Sequence, residues 1–138
     1  MGTVIAGIRP FTKDKRGEIT VKEDMSTDGC VHVRMTIDGG TYRHIFLSLE
    51  DAKMLRKMIK ACRKFNMSAA EKHPNEFHCR AIKSDFMRVT FGNGCRVHIE
   101  FHSNYTGMST IYLSELGAQC LESKIKIVRK QIKGKASA

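Results

Sequence analysis

The strongest constraint on the fold of this chain is an internal repeat without gaps. The sequence matches itself at a shift of 66 positions, which places Val97 on Val31. The shift aligns these residues with identical ones: Val31, Ile45, Leu47, Ser48, Ala52, Leu55, Ile59, Arg63 and Lys64. A repeat of this length is one supersecondary unit that buries its apolar face against a neighbour. We therefore expect two similar units, residues 1–66 and 67–138, that pack together as one compact body.

The first repeat predicts antiparallel strands followed by a helix. In 31–37, apolar residues alternate with polar ones, which indicates a strand with one buried face. Asp, Gly and Gly at 38–40 predict the turn into a return strand at 45–49. Segments 3–8 and 17–22 are shorter strand candidates.

The second repeat shows the same pattern. Alternating apolar residues predict strands at 86–91 and 97–101, with a Gly-Asn-Gly turn between them at 92–94. A further turn at 103–107 leads into a return strand that contains Ile111 and Leu113. Each repeat therefore carries the apolar alternation of an antiparallel sheet.

Helices are predicted at 48–65 and 114–133, because a serine N-cap precedes an apolar stripe in both places. The stripes are Ala52, Leu55, Ile59 and Cys62, and Ala118, Leu121, Ile125 and Val128. A linker is expected at 66–76. The predicted fold class is α+β: two β-β-β-β-α repeats that form an intramolecular pseudo-dimer with antiparallel sheets. The helix stripes should meet at the junction between the repeats.

The net charge points to a polyanionic partner. Lys and Arg number 24 against 14 Asp and Glu, which gives +10 and an isoelectric point near 9.6. Each repeat contributes +5, since 13 basic and 8 acidic residues lie in 1–66 and 11 and 6 in 67–138. Such an excess favours nucleic acid first and an acidic membrane surface second, against solubility alone. No segment approaches the roughly 20 apolar residues of a membrane span, so no membrane is expected as a partner.

Enzyme motifs are missing from the sequence. There is no GxSxG, P-loop or dinucleotide-binding glycine pattern, and carboxylates are scattered, so we expect a protein that is not an enzyme and has no catalytic residues. The five cysteines are an odd number without a CxxC pair, and no Cys/His spacing suits zinc. We expect no metal, no cofactor and no disulfide framework. A reducing intracellular location fits best, cytoplasmic or nuclear/nucleoid.

The polar side of the predicted strands carries cations, aromatic rings and imidazoles. The candidates in the first repeat are Lys22, His32, Arg34, Tyr42, His44 and Phe46. Those in the second repeat are Arg80, Phe86, Arg88, Arg96, His98, Tyr105 and Tyr112. Cations neutralise phosphates, and aromatic faces stack unpaired bases. This composition favours a single-stranded nucleic acid. A solvated sheet face would also be polar, and Phe46 and Tyr112 would be core residues if the strand phase were reversed.

Four antiparallel strands and a serine-capped helix, repeated as a facing pair, resemble the positive cofactor four transcriptional coactivators. The closest likeness runs from Phe77 to Ile125: Phe77-His78-Cys79, Met87-Arg88-Val89-Thr90-Phe91-Gly92, Val97-His98-Ile99-Glu100-Phe101 and Ile111-Tyr112-Leu113-Ser114. The covalent tandem also resembles the Whirly proteins of plants and the related guide-RNA-binding proteins of kinetoplastids. The chain departs from the family in having no Trp.

The resemblance implies strand-face grooves that hold single-stranded DNA or unwound duplex with little sequence preference. It implies binding roles for Arg88, Phe91, Arg96 and His98, and for Lys22, His32 and Arg34 in the first repeat. We therefore expect a sequence-tolerant single-stranded DNA-binding protein of replication, repair, recombination or transcription. Two alternatives stay open: an RNA-binding protein of the same fold, and a transcription regulator that binds a polymerase or another acidic protein. We expect the chain to be a monomeric pseudo-dimer or to form a higher homo-oligomer. The basic run at 124–135 is either an arm on phosphate or a solvated helix end.

Overall fold

The computed structural model describes residues 17–24, 29–37, 41–64, 75–92, 95–104 and 107–137. Its elements in chain order are β1 Gly17–Asp24, β2 Cys30–Ile37, β3 Thr41–Leu47, α1 Leu49–Arg63, β4 Glu76–His78, β5 Phe86–Gly92, β6 Cys95–Ser103, β7 Gly107–Leu113 and α2 Glu115–Ser137. The strands form two antiparallel sheets, ordered β1-β2-β3 and β4-β5-β6-β7. The α+β class and the antiparallel sheets are thereby confirmed, as roughly a β-β-β-α unit followed by a β-β-β-β-α unit.

Most of the predicted elements lie where the sequence placed them. The strand candidate 3–8 and the turn 38–40 fall outside the described residues, as does most of the linker. The linker prediction was wrong at its end, because Glu76 is the first residue of β4 and pairs with Arg88. The second helix continues past its predicted end at 133, because no proline interrupts the chain there.

Both predicted N-caps are confirmed. The Ser48 hydroxyl accepts a hydrogen bond from the Asp51 amide at 3.0 Å, and that of Ser114 accepts one from Gly117 at 3.2 Å. Each serine satisfies an amide that the first turn of a helix leaves without a partner. Both helices therefore begin directly after a return strand.

The predicted strand phase is correct. Every second residue along the strands is buried. Examples are Val31, Val33 and Met35 in β2, and Val97, Ile99 and Phe101 in β6. They form one hydrophobic cluster together with the apolar stripes of both helices. The other phase of each strand faces away from this cluster, although Phe46 also packs partly against it.

The repeat is preserved in the strand register. Val31 pairs with Leu47, and their equivalents Val97 and Leu113 pair in the same way. The shift also maps the first residue of β3 onto that of β7, and the first residue of α1 onto that of α2. The first strand differs by two positions, since Val33 pairs with Val21 but its equivalent Ile99 pairs with Val89. β2, β3 and α1 thus correspond in register to β6, β7 and α2.

The two helices pack against each other and cross to the opposite unit. α1 contacts β4, β5 and β6 of the second sheet, and α2 packs most extensively on β1 of the first. Arg63 near the end of α1 bonds Glu122 of α2 at 2.5 Å, and its repeat equivalent Arg129 bonds the Leu49 carbonyl at 2.9 Å. The helices therefore run antiparallel, and their stripes meet at the predicted junction. Within the described residues, neither helix has the length and apolar character needed to cross a bilayer.

Candidate nucleic-acid interface

The candidate residues are brought together by the strand alternation and by pairing. On the outward side of the first sheet, Lys22, His32 and Phe46 form one row across β1, β2 and β3. The next row is Thr20, Arg34 and His44. Because neighbouring strands place directly opposed side chains about 5 Å apart, these rows form a continuous surface.

Three rings stack on the first sheet. The rings of His32 and Phe46 are 4.5 Å apart with planes inclined by 21°, and those of His32 and His44 are 5.1 Å apart and inclined by 23°. A hydrogen bond of 2.9 Å joins His32 Nε2 and His44 Nδ1. His32 is buried in the middle, His44 is exposed and Phe46 is half-buried. We call His44, His32 and Phe46 the ring column; its outer ring offers a face to solvent.

The field at the ring column is positive. The pKa of His44 lies below its ordinary value, first because burial disfavours the charged imidazolium and then because Arg34 and Lys22 repel it. Two cations therefore act on the exposed ring of the column. An anion placed here would be attracted by both.

The second sheet presents a charge network in the corresponding place. Arg88 donates to Glu76 at 2.6 Å and lies 3.9 Å from Glu100, which is 2.9 Å from His102. The hydrogen bond from Arg88 holds the pKa of Glu76 below its ordinary value, and the pKa of Arg88 is raised in turn. Arg88 lies on the predicted face, but two carboxylates already neutralise it.

Rings also line the second sheet. Phe86 stacks on His102 at 4.5 Å and lies 5.7 Å from His78, with Arg88 over its ring at 5.7 Å. These rings form a row across three strands, beside the charge network. The second face therefore combines stacking surfaces with acids.

One ring pair occurs in both sheets. His98 lies 3.9 Å from the ring of Tyr112, and both are half-buried on the outward side of β6 and β7. The repeat shift maps His32 onto His98 and Phe46 onto Tyr112, so this is the pair already seen in the ring column. Burial lowers the pKa of His98, but the nearby Glu100 carboxylate opposes that shift. The histidine–aromatic pair thus occurs in both units. Its electrostatic surroundings differ, because cations lie near it in the first sheet and the Glu100 carboxylate lies near it in the second.

The remaining candidates divide into two groups. Arg80 lies off the strand faces at the junction of the sheets, where its amide donates to the Phe46 carbonyl at 2.8 Å and its Nη1 to Cys30 Sγ at 3.3 Å. Tyr105 lies outside the described residues. The backbones of Tyr42, Phe91 and Arg96 lie in strands, and their side chains are outside the described part. Phe91 sits at a register shift between Thr90 and Gly92.

Sequence reasoning did not include Glu76, Glu100, His78 and His102 among the site candidates, although its strand phase places Glu100 and His102 on the outward side. All four lie on the outward side of the second sheet, as the alternation of β4 and β6 would have indicated. It also missed the equivalence of His32 and His98, although both are identical under the repeat shift. The candidates were chosen for positive charge or a ring, so the carboxylates of Glu76 and Glu100, which pair with Arg88, were left out.

Among the described residues, no group of three or more His, Cys, Asp or Glu is placed to hold a metal ion. In the same part of the chain Cys30, Cys62, Cys79 and Cys120 form no disulfide, and burial raises the pKa of Cys62 to about 11. A buried thiol with a raised pKa is a packing residue rather than a nucleophile.

Comparison with models of known protein families and with curated protein sequences gives no match.

Proposed function

We propose that this protein binds single-stranded nucleic acid, and single-stranded DNA in particular, on the outward faces of its strands. The observation that carries the proposal is the ring column His44–His32–Phe46 with Lys22 and Arg34 in its own rows. Unpaired bases stack on exposed rings, and phosphates are neutralised by cations at the next position. Both kinds of contact are available within one pair of rows.

The first sheet is the primary site in this proposal. A base continues the ring column on the exposed face of His44, and the phosphates beside it meet Lys22 and Arg34. The pair His98–Tyr112 gives the second sheet a weaker stacking position, because Arg88 is held by Glu76 and Glu100. Contacts of this type carry little base specificity, since every base has a stacking face.

The proposal includes the finer architecture. We regard the chain as a covalent pseudo-dimer of two β-β-β-β-α units, similar to the positive cofactor four and Whirly proteins. The fourth strand that the sequence predicts for the first unit, 3–8, lies outside the described residues. The matching register of β2–β3 and β6–β7 supports the pseudo-dimer, as do the exchanged helices. Exchange of equivalent elements about a two-fold axis is typical of dimers.

The test is a filter-binding titration of the intact chain against oligo-dT, the same sequence as RNA and a duplex, over a salt series. We expect oligo-dT to bind more tightly than the duplex, with a steep dependence on salt. Arg34→Ala should lower the salt slope by about one without changing the melting temperature. Preference for the RNA strand would redirect the proposal to RNA. Failure to bind any of the three polymers at about 50 mM salt would refute it and favour an acidic protein partner.

A further inference from the structure

Most of the basic charge of the chain lies on the helices, away from the strand faces. α1 and α2 together contain eleven Lys and Arg and four Asp and Glu, a net charge of +7. The helices cover the inward sides of the sheets, so their exposed faces point away from the outward strand faces. The molecule therefore has a basic side that the strand-face proposal does not use.

The lysines of α1 and of its C-cap Lys64 are ordered along the helix. Lys60 and Lys64 are exposed, and Lys53 and Lys57 are half-buried. Lys53, Lys57, Lys60 and Lys64 recur at steps of four, three and four, which places them on one side of the helix, opposite its buried stripe. On α2 the equivalents of Lys60 and Lys64 are Lys126 and Lys130, which are also exposed. We call these six residues the lysine stripe. Two of its positions are retained in both repeats, unlike Arg34, whose equivalent is Glu100.

Folding explains the lysine stripe only in part. The helix dipole favours a cation such as Lys60 in the last turn of α1. Like charges three or four positions apart destabilise a helix, however, and α1 contains two such pairs, with a third between Lys60 and its C-cap Lys64. Among the described residues no carboxylate forms an ion pair with Lys60, Lys64, Lys126 or Lys130, whereas Arg63 and Arg88 each have one. An uncompensated row of cations is the electrostatic footprint of a polyanion site.

The residue composition of the two helices favours one class of polyanion over the others. Neither α1 nor α2 contains an aromatic residue, so this side offers ion pairs to phosphates and nothing on which an unpaired base could stack. A duplex displays phosphates outward and keeps its bases stacked inside, so phosphate contacts alone suffice to hold it. We propose that the lysine stripe binds the backbone of a nucleic-acid duplex.

The ring column and the lysine stripe lie on opposite sides of the protein, and together they favour a nucleic acid that has both a single-stranded and a duplex part. A single strand on the ring column and a duplex on the lysine stripe can be held at once, which suits a junction between single-stranded and duplex DNA. This last step rests on the proposed strand-face function. The duplex site itself does not.

The experiment measures both sites separately. The affinity of the intact protein for a 20-base-pair duplex is titrated over a salt series, for the parent chain, for Lys60→Gln/Lys126→Gln and for the control Lys83→Gln. Lys83 is an exposed lysine outside both sites. In a second assay, immobilised oligo-dT is saturated with protein and a labelled duplex is then added.

We expect Lys60→Gln/Lys126→Gln to lower the salt slope for the duplex by about two and to abolish duplex capture, with oligo-dT binding retained. Lys83→Gln should leave the slope unchanged, and all variants should melt as the parent does. The proposal is overturned if the double variant matches the control, if oligo-dT displaces the duplex from a shared site, or if vesicles of anionic phospholipid are captured and the duplex is not. Loss of oligo-dT binding alone, with duplex binding intact, would refute the strand-face function and leave the duplex site standing.

Discussion

The outward faces of the two sheets can be compared row by row, because β2–β3 and β6–β7 pair in the same register. The row Lys22, His32 and Phe46 corresponds to Thr90, His98 and Tyr112. The row Thr20, Arg34 and His44 corresponds to Arg88, Glu100 and Thr110. The ring pair is retained and the charges beside it are exchanged.

This difference separates two contributions to binding. Stacking needs only the ring pair, which both faces possess. Attraction of a phosphate depends on the charge beside the rings, and the second face has Thr90 and Glu100 in the places of Lys22 and Arg34. Its cation Arg88 is paired with Glu76 and Glu100. The first face should therefore bind strands more tightly and with a steeper salt dependence, and four measurements can test this.

The largest effect is expected from the ring column. Phe46→Ala removes the end ring that supports His32 and, through it, the His44 ring on which the base stacks. It should cost about 1–3 kcal/mol of binding, roughly 5- to 150-fold in affinity for oligo-dT, with the salt slope nearly unchanged. Tyr112→Ala should cost less, because its row has Thr90 in the place of Lys22.

The control for this pair is Phe101→Ala, which empties a fully buried position and should cost about 3–5 kcal/mol of unfolding free energy. If Phe46→Ala lowers the melting temperature as far as Phe101→Ala does, Phe46 is a core residue. If Phe46→Ala and Tyr112→Ala bind equally well, the ranking of the two faces is wrong.

A smaller effect should distinguish the cations. Lys22→Gln is expected to lower the salt slope by about one, which between 50 and 200 mM salt is roughly a threefold change in affinity. Arg88→Gln removes the same formal charge but should leave the slope almost unchanged, because Arg88 is engaged by Glu76 and Glu100 and contributes no phosphate contact in the parent chain. If the two variants had equal salt slopes for oligo-dT, Arg88 would contact phosphate despite its ion pairs with Glu76 and Glu100.

The converse change should make the second face more like the first. Glu100→Gln removes the carboxylate that contacts both Arg88 and His102. We expect the salt slope for oligo-dT to increase by up to about one, with affinity raised most at low salt. The isosteric amide keeps the size of the side chain, so the melting temperature serves as the check on folding. An unchanged slope would show that the second face takes no part in binding.

The smallest effect concerns pH. Because the pKa values of His44 and His98 are lowered in the folded protein, the unfolded chain takes up protons first, and stability should fall as the pH drops below about 6.5. Binding should change in the opposite sense, since a phosphate beside His44 favours its protonated form. The gain in affinity should be less than about threefold, which corresponds to a shift of about half a pKa unit.

Paired melting curves and titrations between pH 7.5 and 5.5, roughly one unit either side of the ordinary histidine value, would measure both trends. His44→Asn should abolish the pH dependence of binding, and His98→Asn should preserve most of it. Affinity and stability that fall together on acidification would exclude His44 from the binding surface.

The fold was largely predictable because repeat and alternation are local signals. Ser48 and Ser114 cap helices where expected, and the buried phase of β2 and β6 follows from period-two patterning. These local signals could not predict that each helix would pack against the sheet of the other unit. This packing depends on Arg63, Glu122 and Arg129 meeting across the junction, and such pairs are far apart in the chain.

The site was predictable in composition and only partly in electrostatics. His32, Phe46 and Arg34 follow from strand phase alone. That Arg88 lies between two carboxylates depends on the register of three strands, because a shift of one residue would turn Glu76 to the other side. Pairing register is fixed by turns and packing, so the charge of a sheet face cannot be read from one strand.

The crossing of the helices has a consequence for how the chain is synthesised. The element that covers β1, near the start of the described residues, is α2, at the end. Translation from β3 to the end of α2 takes about 5 to 18 s at 5–20 residues per second. Throughout that interval β1 lacks the helix that covers it, so its apolar residues are exposed to other nascent chains. Among the described elements, the helix that is synthesised last covers the strand that is synthesised first.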